Sequence, residues 1–240
     1  MKTFYSCLFI LTFFISCDGD SEITSPINAN RAIFNRNATE LPGNIENPYD
    51  EAGWVHNELF ESYYASGNKP TTIVGIVENV EALADANPNF RAIKTTTYHP
   101  VSVARIQYIL DHKNTCVTDV VSNSSLTAVA KSSLTAFINS LMVTFQTESN
   151  CDALYNYVAT YEKSIVNNPA FTLRDKQIIL TTTSVARHTV YLARKKPKKN
   201  TDPDWTVLIG HVVAAADGAE NGMAESITMG LATGDRKSVV

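Results

Sequence analysis

No Cys-x-x-Cys, His-Glu-x-x-His, Gly-x-Ser-x-Gly, Walker loop or Gly-x-Gly-x-x-Gly occurs in the 240 residues. The common zinc, serine-hydrolase, P-loop and dinucleotide sites are therefore absent as sequence signals. No Glu-x-x-His pair is present, which excludes the usual di-iron carboxylate bundle. No catalytic residue, cofactor or metal site is expected on these grounds. No segment recurs at a fixed period, so a helical solenoid is excluded. Strand-like alternation is nearly missing. An excess of positive charge is missing too: 20 Lys and Arg stand against 24 Asp and Glu. Long apolar runs are limited to the first residues. Phe4 to Ile15 is largely apolar and uncharged, shorter than the roughly 20 residues a membrane-spanning helix needs.

That short run is flanked by Lys2 and followed by the small Ser16, the pattern of a signal peptide over residues 1–16. Phe14-Ile15-Ser16-Cys17 resembles a bacterial lipobox, with Phe14 where Leu is usual and Ile15 where a small residue is usual. The expectation is that Cys17 becomes the first mature residue and carries acyl chains of the palmitate type. The competing reading is an ordinary signal peptide cut near Ser16. More than one acyl chain would make attachment to the bilayer effectively permanent. Asp18, Asp20 and Glu22 follow, either an acidic export signal to the outer-membrane surface or the start of a solvated tether.

Without residues 1–16 the balance is 19 basic against 24 acidic residues, a net charge of −5. Nucleic acid is disfavoured as a partner. Of the four cysteines, Cys7 leaves with the signal and Cys17 is taken by lipid. Cys116 and Cys151 remain in an oxidising compartment, so a disulfide between them is expected, with two inert buried thiols as the alternative.

Residues 17–46 read as a lipid-anchored tether rich in Ser, Asn, Thr, Pro and Gly. A single α-helical domain is expected over residues 47–234. Ala52, Val55, His56, Leu59, Phe60 and Tyr63 share one face of a first helix. Ile73 to Ala84 form a second stripe, closed at Asn87-Pro88. Residues 89–98 read as a loop. Pro100 can open a third helix. Val117–Val121 is the one stretch with strand character. Ser124-Ser125 is a candidate cap for a fourth helix to about Thr147, with Leu126, Val129, Phe137, Leu141 and Phe145 inward. Asn150 caps a fifth with Leu154, Val158, Tyr161 and Ile165 inward. Thr172 with Asp175 forms a capping-box start for a sixth. A seventh starts near Asp202-Pro203 and runs past Gly218 or breaks there. The fold class is all-α, a bundle of about six to eight helices. Residues 235–240 (DRKSVV) break the preceding pattern and read as a non-native tail or a frayed terminus.

His56, on the apolar face of the first helix beside Asn57, is the main candidate for a ligand or proton-transfer site. A core histidine with satisfied ring nitrogens is the plainer reading. Gly218 and Gly222, and Gly230 and Gly234, are spaced four apart, which suits close helix packing. Asp217 and Glu220 could hold a cation with His211 only if that helix kinks; otherwise they are solvated acids. The basic run 194–199 could touch anionic lipid or form a solvated loop.

NPYDEAGWVHNE resembles the opening of a group of uncharacterised bacterial lipoproteins. In that group an Asn-Pro-Tyr-Asp/Glu segment precedes Gly and His-Asn, as Asn47-Pro48-Tyr49-Asp50, Gly53 and His56-Asn57 do here. A C-terminal alanine- and glycine-rich segment, like Asp217-Gly218-Ala219 and Gly222, is shared. The resemblance implies a cell-envelope, outer-membrane location, periplasmic or surface-facing, and no activity. The expected function is a non-enzymatic binding or interaction module held on the lipid bilayer through Cys17. The alternative is an enzyme or small-ligand site around His56, supported by Asn57, Glu58 or Glu61.

Overall fold

The computed structural model describes residues 41–67, 70–195 and 205–234, with side chains throughout except at 194–195 and 205–207. Expectations for residues 1–40, Cys17 among them, for the basic run 194–199 and for the tail 235–240 lie outside the described residues.

The described chain is all-α. Its helices are α1 (Glu51–Ala65), α2 (Ile73–Ala86), α3 (Pro88–Ile93), α4 (Val103–Asp111), α5 (Cys116–Ser122), α6 (Ala128–Thr147), α7 (Cys151–Val166), α8 (Leu173–Lys195), α9 (Trp205–Ala219) and α10 (Met223–Gly234). Ten helices exceed the expected six to eight for three local reasons. Asn87 accepts a hydrogen bond from the Phe90 amide with Pro88 at the first helical position, turning an expected loop into α3. The β-branched run at 117–121 is helical in α5, packed on α6 and α9; tertiary context overrides strand propensity there. The glycine-rich segment breaks into α9 and α10 at Gly222, whose φ of 142° is open to glycine.

Caps set most boundaries. Thr72, Ser102, Thr127 and Asn150 accept amide hydrogen bonds in the first turns of α2, α4, α6 and α7. Thr127 thus does what Ser124-Ser125 was expected to do, and α4 starts at Val103 behind Ser102 instead of at Pro100. The Thr172–Asp175 capping box forms as expected. The Thr172 amide donates to Asp175 Oδ2 (2.9 Å) and the Asp175 amide to Thr172 Oγ1 (3.0 Å).

α9 and α10 form an antiparallel hairpin at the centre. Every residue of α10 from Ala224 to Gly234 is buried. α8, α4, α5 and α6 pack on α9, while α1, α2, α3, α4 and α8 pack on α10. α7 packs on α8 and α6. Such burial needs small residues at the crossing. A Cβ at Gly218 would lie 2.4 Å from the Glu225 carbonyl oxygen, one at Gly210 2.9 Å from that of Thr233, and one at Gly230 3.0 Å from that of His211. Gly218 and Gly230, two of the glycines spaced four apart, sit where two backbones touch; Gly234 meets the His211 ring and Gly222 lies in the turn.

Two expectations are corrected. Cys116 and Cys151 are free thiols and form no disulfide. Cys116 begins α5 and Cys151 begins α7; between them lies the 20-residue α6, a rise of about 30 Å. The thiols thus fall at opposite ends of a long helix, beyond disulfide reach. The last residues of the stretch expected as tether, 41–46, pack on the domain: Pro42, Gly43 and Asn44 are buried.

Gly218→Ala is expected to cost about 1–3 kcal/mol in urea unfolding, because the new methyl meets backbone instead of a flexible side-chain end. An unchanged midpoint would mean that α9 and α10 do not cross this closely.

Candidate functional site

The segment from Asn44 to His56 brings several buried polar groups of the described residues together, most of them beside α8. Arg187 of α8 is fully buried. Its Nε donates to Glu162 Oε2 of α7 (3.1 Å), its Nη1 to the Pro42 carbonyl (2.6 Å), and its Nη2 to Asp50 Oδ1. Glu162 is itself fully buried. It accepts from Asn44 Nδ2 (2.7 Å) and Asn47 Nδ2 (2.8 Å). Asn47 Nδ2 also reaches the Leu180 carbonyl (3.0 Å), and its Oδ1 accepts from the Tyr49 amide (2.8 Å). Asp50 Oδ1 further accepts from the Asn44 amide (3.1 Å) and Oδ2 from Trp54 Nε1 (3.1 Å).

Burial pushes the Glu162 carboxyl above its usual range, against the pull of Arg187, Asn44 and Asn47. Two carboxylates share one guanidinium in a water-poor interior, so each charge exists there only because the others do.

Asp50 stands at the N-cap of α1 but does not cap it, since its carboxylate is committed to Arg187 and Trp54. The Gly53 amide, which donates to the Asp50 carbonyl (3.1 Å), finds a second acceptor on another helix. It donates to Ser184 Oγ (2.9 Å), which in turn donates to the Asp50 carbonyl (2.8 Å). A Cβ at Gly53 would lie 2.2 Å from the His188 ring and 2.5 Å from the Ser184 carbonyl oxygen. Glycine is therefore required for α1 to approach α8 this closely. The His188 ring stands edge-on to Trp54 with centroids 4.7 Å apart.

His56, the candidate ligand residue whose plainer reading is a core histidine, is 2 % exposed and faces His211, which is 1 % exposed. His56 Nε2 and His211 Nδ1 are 3.1 Å apart. Phe60 flanks both rings, at 6.5 Å from His56 and 5.8 Å from His211. A Cβ at Gly234 would lie 2.3 Å from the His211 ring. Burial, then the neighbouring His211, holds His56 well below the usual histidine value. Across their facing nitrogens one ring donates and the other accepts. A second histidine in reach of His56 is what a ligand site required; among the described residues both rings are buried.

The supporting residues go elsewhere. Asn57 is half-buried and shares no hydrogen bond with His56 among the described residues. Glu58 accepts from Asn87 and Asn89, and Glu61 is exposed. Asp217 and Glu220 are not free acids beside a cation. Asp217 accepts from Arg105 Nε (2.9 Å) and Nη2 (2.6 Å), and Glu220 accepts from the Ser125 amide and hydroxyl and faces Arg174. Among the described residues no group of three or more His, Cys, Asp or Glu side chains could hold a metal ion.

Sequence reasoning missed Arg187, Glu162 and Asn44. One signal was present: Glu162 lies four residues after Val158 and three before Ile165, on the buried face of α7. Tyr161, expected there, is half-buried and stacks on Phe137 at 4.2 Å.

No protein-family model, no curated protein and no solved structure matches the chain.

Arg187→Ala is expected to cost about 3–5 kcal/mol, because it strands Glu162 and Asp50 without their cation. Joint replacement of Arg187 and Glu162 by Met should cost clearly less than the two single changes together, read as urea midpoints in a double-mutant cycle. Additive losses would show that the charges are not coupled.

Proposed function

We propose that the chain is a lipid-anchored protein of the bacterial cell envelope whose helical domain acts as a binding or interaction module. One observation carries the non-enzymatic part of this reading. The polar residues of the most distinctive segment, Asn47, Asp50, Gly53, Trp54 and His56, direct their groups into the core, where Glu162, Arg187, Ser184 and His211 consume them. A site built for chemistry aims such groups at a cleft that a substrate can enter.

The anchor rests on the sequence. Cys17 behind a short apolar run is the lipid-attachment residue, the acidic tether follows, and the likeness to bacterial lipoproteins points the same way. The partner of the anchor is the outer-membrane bilayer, and the net charge of −5 without residues 1–16 speaks against nucleic acid.

The outward face of α6 is the surface best suited to a protein partner. Val129, expected to face inward, is 57 % and Val143 61 % exposed, and Ser132, Ala136, Asn139 and Ser140 lie between them without a charge. By length and composition α6 could also cross a membrane, the one such helix among the described residues. Its inner face instead packs Leu134, Phe137, Ile138, Leu141 and Phe145 into the bundle core.

A small-ligand site at His56 is the second reading, and the His211 ring 3.1 Å away favours it. The burial of both rings weighs against it.

Cys17→Ser is expected to move the protein from the detergent-extracted membrane fraction to the aqueous fraction. The native mature protein should have the mass of a chain beginning at Cys17 plus acyl chains. An unacylated native mass, or an unchanged distribution of the variant, would overturn the anchored reading.

A further inference from the structure

α6 is long, and its only charge is Lys131. Its inner face fills the core, yet it keeps apolar and small residues on the outside as well. The outward side runs Val129, Ser132, Ala136, Ser140, Val143, all exposed. At about 3.6 residues per turn these five fall within a stripe about 80° wide.

The stripe reads the same in both directions. Its residue types are Val, Ser, Ala, Ser, Val, and the steps between them are three, four, four and three residues. A two-fold axis through Ala136 places Val129 of one copy against Val143 of another and Ser132 against Ser140, the self-complementary pattern of an isologous contact. Ala136 then meets its own counterpart. Small side chains at the axis let two helices approach to about 8 Å, the near end of the usual range.

Charge selects the same orientation. Lys131 stands in the first turn of α6, while Glu148 and Asp152 follow its end. The Arg174–Glu220 pair near the start is balanced within itself. Antiparallel copies bring the basic start of one helix to the acidic finish of the other, and opposite ends of the helix dipoles with them. Parallel copies set like ends together. The stripe itself carries no charge, so two net-negative chains repel least there. Leu173, 75 % exposed, adds apolar surface beside the start of α6, where Thr127 and Thr172 donate to the same Asp175 oxygen (3.0 and 2.8 Å).

A bilayer is a poorer cover for this face. It offers no partner to the Ser132 and Ser140 hydroxyls or the Asn139 amide. α6 also has no Trp or Tyr to hold it at a lipid interface. A second copy sets serine against serine, and each hydroxyl both donates and accepts.

We propose that α6 is a self-association face, along which two copies of this chain pair antiparallel about a two-fold axis at Ala136. The pairing rests on the reading of α6 as the interaction face and is independent of the anchor. A contact built on one helix from each copy is small beside the roughly 1,200–2,000 Å² of stable interfaces, so the pairing is reversible.

Chains with one added cysteine test it, both in the envelope fraction of the producing cell and as the Cys17→Ser chain. All carry Cys151→Ser, which removes the half-buried thiol. Under copper-phenanthroline oxidation, Ala136→Cys is expected to form disulfide-linked dimers at least about tenfold faster than Val74→Cys, an exposed site on α2 whose thiols meet only by collision. Val129→Cys and Val143→Cys each lie about 20 Å from their own counterpart in the pair. Each should stay monomeric alone, and the two should cross-link when produced together. Ala136→Glu, which sets like charges at the axis, should abolish that mixed cross-link.

Three results would overturn the pairing: Ala136→Cys no faster than Val74→Cys, Val129→Cys linking to itself as fast as to Val143→Cys, or a mixed cross-link that survives Ala136→Glu. Labelling with a water-soluble maleimide then separates this failure from that of the interaction face. A thiol at position 136 that reacts freely without cross-linking leaves α6 open to a different protein. One shielded only in the envelope fraction puts the face against the bilayer, and one shielded in the Cys17→Ser chain too is covered by the chain itself; both remove the interaction face along with the pairing.

Discussion

A guanidinium cannot lie bare in a helical core, and the arrangement of half this molecule follows from that constraint. Arg187 projects from the middle of α8 into a space with no water-facing side. It is held by a carboxylate from α7, a carboxylate from the start of α1 and a carbonyl from the turn before it. Desolvation costs several kcal/mol for each ion, so the set is stable only when complete. Completing it draws Pro42 to Asp50 against α7 and α8, which fixes where α1 starts. Gly53 and Ser184 then set how closely α1 lies on α8. His56, one turn on, meets His211 in register.

The second organising feature is the central hairpin. A helix buried on all sides cannot use an amphipathic stripe to find its place. α10 instead uses backbone contact with α9, with glycine at each crossing. The hairpin carries four groups that water would hold better: His211, Asp217, Glu220 and Glu225. Each finds a partner on a different surrounding element. Polar contacts therefore specify the position of an element whose apolar surface is otherwise nearly uniform, a role buried polar groups play in other helical assemblies.

How much of this could be read from the sequence depends on how local each signal is. Helix periods, the Asn150 cap and the Thr172–Asp175 box are short-range, and they describe α1, α2, α7 and α8 well. Glycines spaced four apart correctly announced a close helix contact, but not that α9 and α10 would supply both sides. The Asn47–Asn57 segment stood out for its residue types, yet its roles are long-range. Asp50 looks like a cap and is an ion-pair partner; Asn47 looks like a turn former and is a ligand of Glu162. Glu162 keeps the helical spacing of Val158 and Ile165 on the buried face, but its charge, like that of Arg187, normally marks the solvent side of a helix. His56 and His211 are 155 residues apart, and nothing local links them. The strand-like 117–121 misleads because β-branched side chains pack as well on a helical core as on a sheet.

Amide exchange of single residues, followed by NMR in the full chain at neutral pH, tests most directly whether the Asn44–His56 segment is structural. The Asn44 amide, bonded to Asp50, and the Gly53 amide, bonded to Ser184, are expected to exchange as slowly as the amides of α10, opening only when the whole domain unfolds. Exchange at the rate of an exposed loop would mean that the segment is not docked, that Arg187 does not organise the core, and that Asp50 and His56 are free for chemistry.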